Sequence, residues 1–311
     1  MTNSHRSPLR LRLLIAAALG TAAVATHAAP VVTLTAQEVL GSASGPGANV
    51  MTSPPANGGD FFRSSSDGTN SSFFHTYGTT GGLTYFGART SGVGTFFTRT
   101  SAGYTDSITN HTGMAQMVTF AFNVDSGQIG MAGSGNGYAD LALNLSFNGV
   151  SVAREHGRIV YDSVTGSTCV TNDMDVGVLG GYLSCSGSTD ALGASGSYSI
   201  SQLLADGATL NVAYDIVAEV SGALSGTTEI LCSGGAVATF TPNKQAAYRN
   251  MSVVIKDGRP KESGCQNFNG IARSGDPAGF GPFSPGVQGD FALSLNAVPE
   301  PGSLSLLALA L

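Results

Sequence analysis

The run TLNVAYDIVAEV, residues 209–220, limits the fold more than any other part of the chain. Leu210, Val212, Tyr214, Ile216, Ala218 and Val220 fall on one side, and Asn211, Asp215 and Glu219 fall on the other. A period of two marks a strand with one wet face, because successive side chains of an extended backbone point to opposite sides. MVTFAFNV (117–124) repeats the pattern with Val118, Phe120, Phe122 and Val124. In YADLALNLSFNGVSVAR (138–154), Leu141, Leu143, Leu145 and Phe147 alternate up to Asn148-Gly149. That dipeptide tolerates the two positive φ angles of a tight hairpin turn.

Further strands are predicted within 82–89, 94–108, 158–162, 237–240, 251–256 and 291–295. Residues 41–82 are dense in Gly, Ser, Pro and Asn and read as a loop with few fixed contacts. SISQLLADG (199–207) reads as a single helical turn, capped by Ser201 and ended by Gly207. No segment holds a 3.6 period over three turns. The 43 glycines and the 11% of charged residues suit short strands joined by tight turns. The predicted fold is all-β: an antiparallel β-sandwich, with the jelly roll as one form of it, pinned by disulfides. A closed β-barrel is the alternative.

The N-terminus reads as an export signal. Arg6, Arg10 and Arg12 precede the apolar run Leu13–Val24, and small residues follow, with cleavage expected after Ala28. The apolar run is too short to span a membrane. Removal of residues 1–28 leaves 11 basic against 20 acidic residues, a net charge of about −9. Such a surface excludes nucleic acid as a partner, since phosphate affinity comes mainly from Lys and Arg.

In an exported chain the four cysteines, Cys169, Cys185, Cys232 and Cys265, read as two disulfides. Three pairings exist; Cys169–Cys185 with Cys232–Cys265 is preferred, because each closes a short Gly/Ser-rich loop. Each is worth roughly 3 kcal/mol through restriction of the unfolded chain.

Chemistry is sparse. His75, His111 and His156 remain beyond residue 28, in no metal-binding spacing. His156 is read with Glu155 as a solvated pair in a polar connection. No Gly-x-Ser-x-Gly elbow occurs. Asp215 and Glu219 share a strand face but lie about 13 Å apart at the usual rise per residue, too far for a glycosidase pair unless another strand contributes. TNDMDVG (171–177) is the one cation candidate, with Asp173 and Asp175 as Ca2+ ligands in a loop between two cysteines. Otherwise no cofactor is expected. Tyr85, Phe86, Phe96, Phe97 and Tyr104 form a cluster that would suit sugar stacking, but alternation assigns about half of such residues to a core.

The last 14 residues, VPEPGSLSLLALAL, carry Val298, Pro299, Glu300, Pro301 and Gly302 ahead of an apolar run. This resembles the PEP-CTERM sorting signal of exported proteins in bacteria with two membranes. The resemblance implies a signal peptidase at one end and an exosortase-type protease at the other. It also implies transient anchoring in the inner membrane and a destination in the periplasm, at the cell surface or in the extracellular matrix. Leu304–Leu311 is shorter than a spanning helix and no arginine follows, so the expectation is a sequence clipped within the tail. FFHTYG, TYFGART, AQMVTFAFNV, LADGATLNVAYDIVAEVSG and ARSGDP resemble an uncharacterised group of PEP-CTERM proteins, a likeness that names no reaction.

The expected organisation is a signal peptide over 1–28, an N-terminal strand and Gly/Ser/Pro-rich loop region over 29–82, a sandwich over 83–296 and a sorting tail over 297–311. The expected function is non-catalytic: a surface or matrix protein associated with exopolysaccharide or biofilm. A carbohydrate-binding module and a secreted hydrolase are the alternatives.

Overall fold

The computed structural model describes residues 25–43, 50–52, 58–79, 85–124, 127–171, 176–194, 196–226, 228–231, 237–240, 252–256, 259–263, 266–276 and 292–297. Strands are numbered along the chain. The largest sheet has eight strands. Its order is β12 (Thr168–Val170), β11 (Val150–Asp162), β10 (Ser134–Phe147), β16 (Thr209–Ser225), β7 (Thr95–Thr109), β2 (Val31–Leu40) and β3 (Val50–Thr52), with β1 (Thr26–His27) beside β7. A seven-stranded sheet runs β13 (Leu183–Cys185), β14 (Asp190–Gly193), β9 (Gln128–Met131), β22 (Gly270–Asp276), β6 (Tyr85–Val93), β5 (Ser71–Thr79) and β4 (Gly58–Ser66). A third sheet places β8 (Gln116–Val124) between β15 (Gly196–Leu204) and β23 (Ala292–Ala297). Two small sheets join β17 (Thr228–Leu231) to β18 (Val237–Phe240) and β21 (Gln266–Phe268), and β19 (Ser252–Lys256) to β20 (Arg259–Ser263).

Strand pairing is antiparallel, and the sheets are open rather than closed into a barrel. The fold is an antiparallel β-sandwich. Its core is built from the alternating apolar positions. Leu141, Leu143 and Leu145 of β10 and Val212, Tyr214, Ile216 and Val220 of β16 are wholly buried. Phe120 and Phe122 of β8 complete that layer from the third sheet. Aromatic rings tie the three main sheets together. Phe86 meets Tyr214 edge-on at 5.1 Å, Tyr104 lies 6.0 Å from Phe120, and Phe122 lies 5.3 Å from Tyr214. Burying each such side chain contributes about 1.5–3 kcal/mol, and favourable ring geometry adds to it.

The hairpin between β10 and β11 turns where the sequence places it. Asn148 has φ 50° and Gly149 φ 80°, and the Asn148 Oδ1 accepts the Asn211 N–H at 2.9 Å. The segment 158–162 is not a separate strand but the end of the long β11.

Two expectations are corrected. Within 41–82, Gly58–Ser66 and Ser71–Thr79 are strands that extend the seven-stranded sheet beside β6. Threonine suits a strand, and Phe73 and Phe74 are buried while Phe61 packs against the core. Residues 199–207 are not helical either. Residues 196–204 form β15, with Ile200 opposite Phe120 and Tyr198 opposite Phe122. Serines at 197, 199 and 201 alternate with Tyr198 and Ile200, which pack on the core, so pairing overrides the weak capping signal. Gly207, at φ 74°, closes the turn after the strand.

Candidate functional site

The outer face of the eight-stranded sheet carries a linked set of charged and polar side chains. Alternation puts Tyr138 and Asp140 of β10 and Asp215 and Glu219 of β16 opposite the buried leucines and valines. Register then aligns a transverse row: Arg158 faces Asp140, Asp140 faces Glu219, Glu219 faces Arg99, and Arg99 faces Gln37. The row spans five strands with a carboxylate pair at its centre.

Two carboxylates on directly opposite residues repel one another. Each is neutralised by its own partners. The Asp140 carboxylate lies 3.1 Å from His156 Nε2 and 3.6 Å from Arg158 Nη1. Glu219 accepts the Tyr138 hydroxyl at 2.6 Å and lies 3.3 Å from Arg99 Nη1. The Arg158 guanidinium covers the Tyr138 ring, 4.9 Å from its centroid. Burial, followed by the hydrogen bond to Glu219, holds the Tyr138 hydroxyl protonated well above the ordinary tyrosine range. The carboxylates are mostly covered, with side chains 19% and 21% exposed, while Arg158 and Arg99 are 47% and 52% exposed. The face therefore presents guanidinium edges to solvent and keeps the acids as their anchors.

Beyond Ala142 and Val217, the next polar pair on this face is Asn144 and Asp215. Asp215 sits over Gly103, where a β-carbon would come within 2.7 Å of its carboxyl oxygen. The protein around it raises the Asp215 pKa through desolvation.

Glu155 and His156 are not a solvated pair. They lie on a strand, so one points in and the other out. Glu155 is wholly buried and accepts the backbone N–H groups of Tyr182 at 3.0 Å and Leu183 at 3.1 Å. It ties β11 to the chain leading into β13. Cys169 and Cys185 form a disulfide with a Cα–Cα distance of 6.1 Å. Cys169 is in β12, at the edge of the eight-stranded sheet, and Cys185 is in β13, at the edge of the seven-stranded one, so the bond staples the two layers. A second cross-layer tie is Glu38 of β2. It is buried and accepts Ser72 Oγ at 3.0 Å and Ser65 Oγ at 2.5 Å, with Arg63 Nε 3.1 Å away.

Other expected residues fall as follows. Phe86, Phe96, Phe97 and Tyr104 are buried, so they are core and offer no sugar platform; the side chain of Tyr85 lies outside the described residues. His75 is buried in β5 opposite Arg89, and His111 is exposed in a turn. Ala28 donates its N–H to the Ser107 carbonyl at 3.0 Å. Cys232, Cys265, Asp173, Asp175 and the tail residues Val298, Pro299, Glu300, Pro301 and Gly302 lie outside the described residues. Among the described residues, no three His, Cys, Asp or Glu side chains come together as metal ligands.

Alternation places Asp215 and Glu219 on the polar face of their strand, as expected, and the carboxylate that faces Glu219 comes from the neighbouring strand, at Asp140. Asp140, Tyr138, Arg99 and Arg158 were missed. Their outward orientation was readable from alternation; their adjacency depends on β10 lying beside β16, far along the chain. No family model matches the chain, and no curated protein matches it.

Proposed function

We propose that this is an exported, non-catalytic β-sandwich of a cell surface or extracellular matrix that meets exopolysaccharide through the outer face of its eight-stranded sheet. The observation that carries the reading is the Arg158–Asp140–Glu219–Arg99 row. Its carboxylates are each held by a cation and its guanidinium edges remain in water. Such an array offers many fixed donors to hydroxyl and carboxyl groups of a polysaccharide. It suits general acid catalysis poorly, since a glycosidase needs one carboxyl that keeps its proton. The leader, the Pro299-Glu300-Pro301 tail and the disulfide agree with delivery to an oxidising compartment through signal peptidase and an exosortase-type protease.

The test is retention of the purified protein on exopolysaccharide from its own host, beside a glycan array. The parent protein should be retained, and the double variant Arg99→Ala/Arg158→Ala should lose at least about fivefold in retention, about 1 kcal/mol. Tight binding to one defined oligosaccharide would instead favour a carbohydrate-binding module. Polysaccharide cleavage that disappears in Asp140→Asn or Glu219→Gln would favour a hydrolase.

A further inference from the structure

Two small-residue sites stand side by side at the end of the leader: Ala23-Val24-Ala25 and Thr26-His27-Ala28. A signal peptidase recognises small residues in an Ala-x-Ala-like pattern, and the first site has alanine at both positions. The structure treats the residues between the two cut points as part of the sandwich. Thr26 and His27 pair with Thr109 and Ile108 of β7, and Ala28 continues with its bond to Ser107.

His27 matters most. Its Nε2 lies 2.9 Å from Oδ2 of Asp106, whose side chain is 1% exposed. The same oxygen accepts the Tyr104 hydroxyl at 2.8 Å, and Oδ1 accepts the Ser107 N–H at 2.7 Å. Asp106 points inward from β7, between the buried Tyr104 and Ile108. A carboxylate in such a place needs a full set of hydrogen-bond donors. Among the described residues, His27 is the basic side chain that reaches this carboxylate, with its Nε2 at 2.9 Å. A cut after Ala28 would remove it and the first sheet pairs together.

We propose that the exported chain is cut after Ala25, so that the mature protein begins at Thr26 and His27 is one of its structural residues. The leader still satisfies the pattern. Arg6, Arg10 and Arg12 are followed by an apolar run from Leu13, and Thr21–Ala25 forms the cleavage region. The inference rests on the export reading above.

The full chain, expressed with its leader in a bacterium with two membranes, is recovered from the periplasm and medium for intact mass measurement and N-terminal sequencing. A start at Thr26 is expected. A start at Ala29, or at any other residue of an exported product, overturns this inference and leaves export standing. A cytosolic product that still begins at Met1 overturns export and this inference with it. In the same background, His27→Ala should start at Thr26 and melt about 2–4 °C below the parent. An unchanged melting temperature in a product that starts at Thr26 overturns the structural role of His27.

Discussion

Glu155 and His156 are chain neighbours in unlike surroundings. One is sealed under the Tyr182–Leu183 backbone; the other stands on the outer face against Asp140. Asp215 shows how a surface residue can also work against the fold. Desolvation raises its pKa above the ordinary 3.8, so the folded state binds the proton more tightly than the unfolded one. The sign follows from linkage: the contribution of this group is fully present below the unfolded pKa and declines as pH rises through the folded one. Asp215 is nonetheless exposed, and solvent screening limits the effect to about a few tenths of a kcal/mol. Asp215→Asn should therefore melt slightly higher than the parent at pH 7, and the gap should close as pH falls towards 3.8. Melting curves over that range check it; a gap that widens on acidification would contradict the assigned cause.

At the level of elements, the legible parts were those with a strong period. The inner faces of β8, β10 and β16 and the Asn148-Gly149 turn follow from alternation and from positive φ alone. β4, β5 and β15 were not legible, because serine-rich strands carry too little apolar contrast to stand out from loops. β4 and β5 pair with their neighbours in the chain, β5 with β6 and β4 with β5, whereas β15 takes its partner, β8, from far back in the sequence. One glycine shows how closely two elements approach. A β-carbon on Gly92 of β6 would run into the ring of Phe96 on β7, and Phe96 is wholly buried. Gly92→Ala should cost about 1–3 kcal/mol by overpacking. Chemical denaturation measures this, and pairing it with Phe96→Leu should recover part of the loss. A Gly92→Ala protein as stable as the parent would show that the contact is looser than described.

Over the whole molecule, the polar row and the layer ties arise from the same long-range topology. β7 pairs with β2 on one side and β16 on the other, and β16 with β10, so the central strands meet across large chain separations. That is why the row on the outer face could not be read from spacing: each residue was visible, but not its neighbour. It also implies slow folding, since loop closure must precede the contacts that reward it. The bond between Cys169 and Cys185 has a mechanical corollary. Tension applied to the two ends of the chain passes through the sulfurs and bypasses the residues between them, which are 16 positions apart. In optical-trap extension, Cys169→Ser/Cys185→Ser should lengthen the fully stretched chain by roughly 50 Å at about 3.3–3.6 Å per residue. Held by its ends in a hydrated gel, the native protein would keep that slack in reserve until a reductant releases it.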